Sequence, residues 1–346
     1  LWGYQAFAQA SDEYLDDRLK LSLGISTVGN NFNKTMSNPL NQLSPRLSAS
    51  YMINDKWDLN ANFGRYAAQP AYTTMGFRNT AGDYVNKNEN LKYVISNQAI
   101  MGFEFRPVDK MRLTVEGFYK QYSNYPLSVR EGISIASQGA DYGQIGDEEI
   151  VSTGKGRAYG VEFLFKIMEL NNINLTTTYT YFRSEFTNDA GKYLPSSWDT
   201  RHLLNLIGSY KLPKNWNVAA RWRYVGGAPY TPIDRNKSEL ISAWDITNQP
   251  YLDFAQYNSK RLKDAHQLDI RIDKEFYFKK WVLNLYTDIQ NAYVFKTQGA
   301  PIYTNKDKAT GLPMVNPTDN TRYELREVED NLNGTLLPTI GLIIKI

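Results

Sequence analysis

The chain has 346 residues, enough for one large domain or two medium ones, yet only 42% are hydrophobic and the mean hydropathy is -0.51, which excludes a bundle of transmembrane helices. Its 39 basic and 36 acidic side chains are spread along the whole length for a formal charge of +3, which argues against a nucleic-acid-binding protein. With no Cys and only 2 His, disulfide frameworks, thiolate nucleophiles and most metal or triad enzymes are disfavoured.

The same polar chain holds 25 Tyr, 15 Phe and 7 Trp, rings that suit half-exposed surfaces such as membrane interfaces and ligand grooves. In chain order, two-residue alternation predicts strands over about 1–10, 15–28, 44–53, 57–67, 93–106, 111–122, 157–168, 173–185, 201–211, 216–226, 265–277, 281–294 and 335–346. Trp57, Leu59, Ala61 and Phe63 oppose Asp58, Asn60 and Asn62. Met111, Leu113, Val115 and Tyr119 likewise oppose Arg112, Thr114 and Glu116, and Leu268, Ile270 and Ile272 oppose Gln267, Asp269, Arg271 and Asp273.

The connections alternate in length. Tight Asn-, Asp-, Pro- and Lys-rich turns fall at Asn54-Asp55-Lys56, Pro107-Val108-Asp109-Lys110, Leu170-Asn171-Asn172, Pro213-Lys214-Asn215 and Lys279-Lys280. Between them lie long polar stretches near 69–92, 123–156, 187–200, 227–265 and 296–333, which a compact soluble domain rarely tolerates. Short turns on one side, long loops on the other and strands of about ten alternating residues describe an outer-membrane barrel. The expected fold is therefore all-β, an antiparallel transmembrane β-barrel with about thirteen strands present. Trp57, Trp216 and Trp281 each follow a short turn and are expected at the periplasmic edge of the lipid band. Thirteen is odd, whereas bacterial single-chain barrels close with an even number, so residues 1–346 are expected to be the C-terminal portion of a larger barrel.

Several fragments, in order along nearly the whole chain, resemble one family: Leu43-Ser44-Pro45-Arg46-Leu47-Ser48, Asn62-Phe63-Gly64-Arg65-Tyr66, Glu116-Gly117-Phe118-Tyr119-Lys120 and Gly156-Arg157-Ala158-Tyr159-Gly160-Val161-Glu162. They continue with Trp198-Asp199-Thr200-Arg201-His202, Gly226-Gly227-Ala228-Pro229-Tyr230-Thr231-Pro232, Leu268-Asp269-Ile270-Arg271-Ile272 and Asp288-Ile289-Gln290-Asn291. The chain is similar to the C-terminal part of TonB-dependent outer-membrane receptors. That resemblance implies a 22-stranded barrel filled by an N-terminal plug domain, with the plug and first strands absent from this sequence. It also implies active import of a scarce or large nutrient such as a siderophore, cobalamin, glycan or peptide, in a Gram-negative outer membrane. The partners implied are outer-membrane lipid, the plug and first strands, the TonB complex and an extracellular nutrient, with room for a surface lipoprotein. The terminal Gly341-Leu342-Ile343-Ile344-Lys345-Ile346 alternates as a last strand but departs from the terminal aromatic common in such barrels.

Glu104, Arg112, Glu116, Glu162, Arg221, Arg223, Asp269, Arg271, Asp273 and Asp288 fall on the polar side of their strands. A charge at the lipid midplane costs about 2–4 kcal/mol, so these ten are expected to face the lumen, as a salt-bridge network, a plug-docking surface or both. Tyr142, Trp244, Tyr251, Phe254, Tyr257 and Tyr303 sit in polar connections, where rings stack on a sugar face or a flat chelate, or else pack loop against loop. Tyr142, Trp244 and Tyr251 are the leading ligand anchors. No enzyme, cofactor or metal is expected. Ser196, Ser197, Asp199 and His202 supply the residue types of a hydrolytic triad, but crowd one loop-to-strand junction and lack a nucleophile elbow. His266 reads as a rim residue rather than a metal ligand, and Asp147-Glu148-Glu149 and Asp319-Asn320 lack the oxygen spacing of a calcium loop. Two other readings stay open: an outer-membrane hydrolase using His202, and a soluble all-β glycan-binding or adhesive module.

Overall fold

The computed structural model describes residues 1–87, 91–138, 145–328 and 334–346. Thirteen strands, each bonded to its neighbours in chain order, form the path of one antiparallel sheet, and a short fourteenth, Tyr193–Pro195, pairs off that path with the end of Ile173–Thr187. The thirteen are β1 (Gly3–Tyr14), β2 (Leu19–Asn30), β3 (Ser44–Asn54), β4 (Trp57–Ala68), β5 (Val94–Phe105), β6 (Met111–Ser128), β7 (Ile150–Leu170), β8 (Ile173–Thr187), β9 (His202–Leu212), β10 (Trp216–Val225), β11 (Ala265–Tyr277), β12 (Val282–Gln290) and β13 (Leu337–Lys345). Among the described residues β1 pairs only with β2 and β13 only with β12.

Short turns and long connections separate to opposite ends of this sheet, because every strand reverses direction. At one end the chain turns within 15–18, 55–56, 106–110, 171–172, 213–215 and 278–281. Leu15, Asp16, Asp17, Asn171, Asn172, Lys214 and Asn215 take the left-handed backbone those tight reversals require. At the other end lie connections 31–43, 69–93, 129–149, 188–201, 226–264 and 291–336. Two expectations need correction. The stretch expected to loop from 123 to 156 is shorter, since β6 runs on to Ser128 and β7 begins at Ile150. The first two strands are shifted, with the reversal at 15–18 rather than near 11–14. In both places polar residues continue a strand whose neighbours still offer backbone partners, so ladder bonds override side-chain polarity.

The sheet has one apolar and one polar face. Trp57 stacks on Phe105 at 4.3 Å and Phe278 on Trp281 at 4.1 Å, while the Lys274 ammonium lies 5.2 Å from the Trp216 ring. All three Trp therefore stand at the short-turn end. Among the described residues α-helix is confined to the long connections, in pieces such as α1 (Tyr72–Gly76) and α2 (Ile241–Thr247). Two small cores form there. One gathers Met36, Met75, Leu91, Tyr93 and Ile150, and the other Trp244, Tyr323 and Leu325.

Candidate functional site

Cross-strand register decides which side chains share a face. Glu104 pairs beside Thr114 on β6, Glu116 with Glu162, Glu162 with Thr180 and Thr178 with Asn205. Asn205 then pairs with Arg223, Arg221 with Asp269 and Arg271 with Asp288. Following this chain of partners places Glu104, Arg112, Glu116, Glu162, Arg221, Arg223, Asp269, Arg271, Asp273 and Asp288 on one face, opposite the face of Trp57, Val161 and Ile270.

The ten do not form one network. Buried Glu104 accepts from Arg106 at 2.5 Å and Arg112 at 2.6 Å, and Arg106 also reaches Asp58 at 3.1 Å. On β10 to β12, Arg223 meets Asp269 at 3.7 Å, while Arg271 meets Asp273 at 2.8 Å and Asp288 at 4.0 Å. Between these clusters Glu116 and Glu162 are directly opposed across β6 and β7. Neither has an ion-pair partner among the described residues, although like charges facing one another destabilise a pair of strands.

Above the long-connection end, polar ties bind three connections together. The Ser137 carbonyl accepts from the hydroxyls of Ser197 and Tyr257, each at 2.7 Å, and from the Asn258 amide at 3.2 Å. Burial, then the nearby Glu131 and Glu148, push the Tyr257 phenol up, so it stays a neutral donor. Fully buried Asp199 accepts from Arg183 at 3.1 Å, the Ser184 backbone at 2.8 Å and Arg261 at 2.5 Å. Burial and the neighbouring Arg201 lower Arg261, which remains a cation by a wide margin. Gly226 and Gly227 let the chain cross here, since a Cβ would stand 2.2 Å from the Thr200 carbonyl oxygen and 1.8 Å from that of Leu262. Sequence reading missed this hub. Its visible trace was the run Trp198-Asp199-Thr200-Arg201-His202 and the paired glycines, whose partners lie some sixty residues apart.

The loop aromatics divide by environment. Trp244, expected as an anchor, is 3% exposed and packs with Tyr323 and Leu325. Its ring therefore packs loop against loop, because a helix of only seven residues needs an apolar face to hold it. Tyr251 is half-buried, donates its hydroxyl to the Ala243 carbonyl at 3.2 Å and has the Lys237 ammonium 4.1 Å from its ring. Phe254 is exposed and stacks on Tyr257 at 5.9 Å. Tyr142 lies outside the described residues. Tyr303 has Arg235 at 5.5 Å.

The triad residue types do not converge. Ser196 donates to Ser184 at 2.8 Å, Ser197 to Ser137, and the His202 Nδ1 meets the Tyr179 hydroxyl at 2.9 Å, while Asp199 is held by arginines. His266 contacts the Tyr293 hydroxyl at 2.6 Å and packs on Phe295. The carboxylate of Glu148 is taken by Ser128 and Gln138, and that of Asp319 by Thr321 and Arg322.

Residues 2–292 match the family described as TonB dependent receptor-like, beta-barrel. The chain belongs to this TonB-dependent receptor family. No curated protein matches it in sequence. Solved receptors share the fold. The ferripyoverdine receptor of the Pseudomonas aeruginosa outer membrane, bound to ferripyoverdine, superposes with a TM-score of 0.59 at 16% identity over 88% of this chain and 35% of its own. A ferric citrate transporter in its unliganded form gives 0.60 at 13% identity over 99% of this chain and 45% of that one. The ferric-catecholate import receptor of E. coli K12 gives 0.58 at 12% identity over 99% and 44%. This receptor barrel segment thus spans less than half the length of each of these proteins.

Proposed function

We propose that this chain is the C-terminal barrel wall of an outer-membrane active transporter that imports a scarce or large nutrient such as a siderophore, glycan or peptide. The observation behind this reading is the family match laid on a sheet with one apolar face, one polar face and all its long connections at one end. A barrel in lipid needs that division, because strands crossing a bilayer expose apolar side chains to lipid and keep polar ones inside. The structural neighbours that handle ferric chelates favour a siderophore within the class.

In this reading the lumen holds an N-terminal plug, and the opposed Glu116 and Glu162 receive a cationic side chain from it. Energy would arrive through the TonB complex, and the protein would reside in a Gram-negative outer membrane as a transporter rather than an enzyme. Tyr251 and Phe254, in the connection between β10 and β11, are the ring faces offered to ligand. The test is uptake by the whole receptor of a panel of ferric chelates, oligosaccharides and peptides, with and without a functional TonB complex. Uptake of one class that stops when TonB is removed supports the reading; uptake that persists without TonB overturns it. Tyr251→Ala should weaken binding of that ligand by about 1–3 kcal/mol, the range for losing a stacking aromatic.

A further inference from the structure

The short turns are not alike in charge. Those at 15–18, 55–56 and 106–110 carry as many aspartates as basic side chains, whereas those at 213–215 and 278–281 hold Lys214, Lys279 and Lys280 and no carboxylate. Strand β11, which ends in the second of these turns, adds a fourth cation on its outer side. Lys274 pairs across the ladder with Trp216 and alternates with Ile270 and Ile272, so it stands on the apolar face. Its ammonium lies 5.2 Å from the Trp216 ring and 5.3 Å from that of Phe276, and it donates to the Lys214 carbonyl. Neighbouring lysines are neutralised, Lys211 by Glu169 at 2.6 Å and Lys345 by Glu275 at 3.6 Å. Lys214, Lys274, Lys279 and Lys280 have no carboxylate partner among the described residues. Because β10 and β11 are adjacent, about 4.8 Å apart, the four gather at one corner of the short-turn end, among the exposed rings of Trp216, Phe278 and Trp281.

Resting on the reading of this sheet as an outer-membrane barrel with its short turns toward the periplasm, we propose that this corner binds the headgroup of an anionic phospholipid of the periplasmic leaflet. A lysine on a lipid-facing strand is costly unless its stem lies along apolar surface and its ammonium reaches the interface. Lys274 stands level with Trp216, a ring of the kind that settles at that interface. One of its three N–H groups is on the Lys214 carbonyl, which leaves two for a phosphate oxygen. Lys214, Lys279 and Lys280 raise the positive potential beside it, and each cation close to a negatively charged bilayer surface adds to the attraction. That surplus decides between headgroups. A zwitterionic headgroup brings its own ammonium, which the lysines repel, whereas a phosphodiester on neutral glycerol brings the net negative charge that they lack. The rings of Trp216, Phe276 and Trp281 offer apolar faces to the glycerol and the upper acyl chains. The balanced turns at 15–18, 55–56 and 106–110 have no such surplus and hold no headgroup in preference to another.

The test places the whole purified receptor in nanodiscs of equimolar phosphatidylethanolamine and phosphatidylglycerol and counts, by native mass spectrometry, the lipids it retains on release. The parent is expected to keep phosphatidylglycerol about tenfold over phosphatidylethanolamine, and the combined Lys214→Gln, Lys274→Gln, Lys279→Gln and Lys280→Gln variant to keep the two about equally. Lys279→Gln with Lys280→Gln alone, both exposed at the turn, leaves Lys274 in place and should lower the preference several-fold even if the fourfold variant fails to fold. Lys56→Gln with Lys110→Gln, in the balanced turns, should keep the parent's preference. Equal retention of the two lipids by the parent, a preference that survives the lysine substitutions, or the same loss in the balanced turns overturns the proposal. Binding of the parent, but not of the variants, to isolated peptidoglycan in the absence of a lipid preference assigns the corner to the cell-wall polymer and overturns it too. A receptor that stays soluble without detergent and retains no lipid removes the barrel reading itself, and the proposal with it.

Discussion

Asp199 shows how much one side chain decides. It is fully buried and holds Arg183 and Arg261, residues contributed by β8 and by the connection after β10. Asp199→Ala should loosen this junction by about 3 kcal/mol, the low end for breaking a buried pair, because Arg261 loses its counter-charge while Arg183 keeps Glu185 at 2.8 Å. Faster protease cleavage within 188–201 and 226–264 of the whole receptor, with barrel strands still resistant, is the expected outcome. Asp264 gives a pH-dependent counterpart. The Tyr224 hydroxyl at 2.5 Å and the Gly227 amide at 2.9 Å hold its carboxyl below the usual value. A lowered folded value means the tether is complete above the ordinary carboxylate range and is lost as pH falls through the lowered one. Pepsin should therefore cut 226–264 increasingly between about pH 4.5 and pH 2.5, in the range where carboxylates protonate. Asp264→Asn should flatten that dependence by removing the titrating group.

At the level of the strand, alternation and register together assign the faces. Val161 lies near the middle of β7, half exposed, and Thr178 stands on the other face of β8. Val161→Arg should cost about 2–4 kcal/mol of membrane-inserted stability, and Thr178→Arg much less, since only the first charge meets lipid. Urea unfolding of the whole receptor in lipid vesicles measures the difference; equal losses would mean the faces are wrongly assigned. Strand existence was legible for all thirteen because period two survives every local irregularity. The ends were less legible. Polar residues such as Ser123 and Ser128 read as loop, yet they continue β6 because Ile95 of β5 pairs with the first and Ile150 of β7 with the second.

Across the whole molecule, the long connections form one cap. The first core joins connections 31–43, 69–93 and 129–149 through Met36, Met75 and Leu91, with Ile135 packed alongside. Ser137 ties 129–149 to 188–201 and 226–264, and Trp244 with Tyr323 ties 226–264 to 291–336. Asn258→Ala removes bonds to Ser137 and Pro195, worth about 0.5–1.5 kcal/mol each. Hydrogen exchange should then quicken together in 129–138, 188–201 and 226–264, although only one of these carries the substitution. Faster exchange limited to 226–264 would show that the connections open independently.

By itself the sequence determined the fold class, the thirteen long strands of the wall, the polar face and the end at which the long connections gather. Those properties follow from local rules, namely side-chain period, turn residues and the intolerance of lipid for charge, which act on neighbours in the chain. Tertiary structure alone decided what the loops do. Nothing local distinguishes Trp244, packed under Tyr323, from Phe254, open to solvent, since the partner that buries Trp244 is almost eighty residues away. The same holds for Asp199. Its sequence neighbours gave it no partner, and the ones it has, Arg183 and Arg261, arrive from other elements because strand pairing brings their ends to one place. The opposition of Glu116 and Glu162 likewise became visible only when register set β6 beside β7, for a shift of one residue would have turned one carboxylate toward lipid.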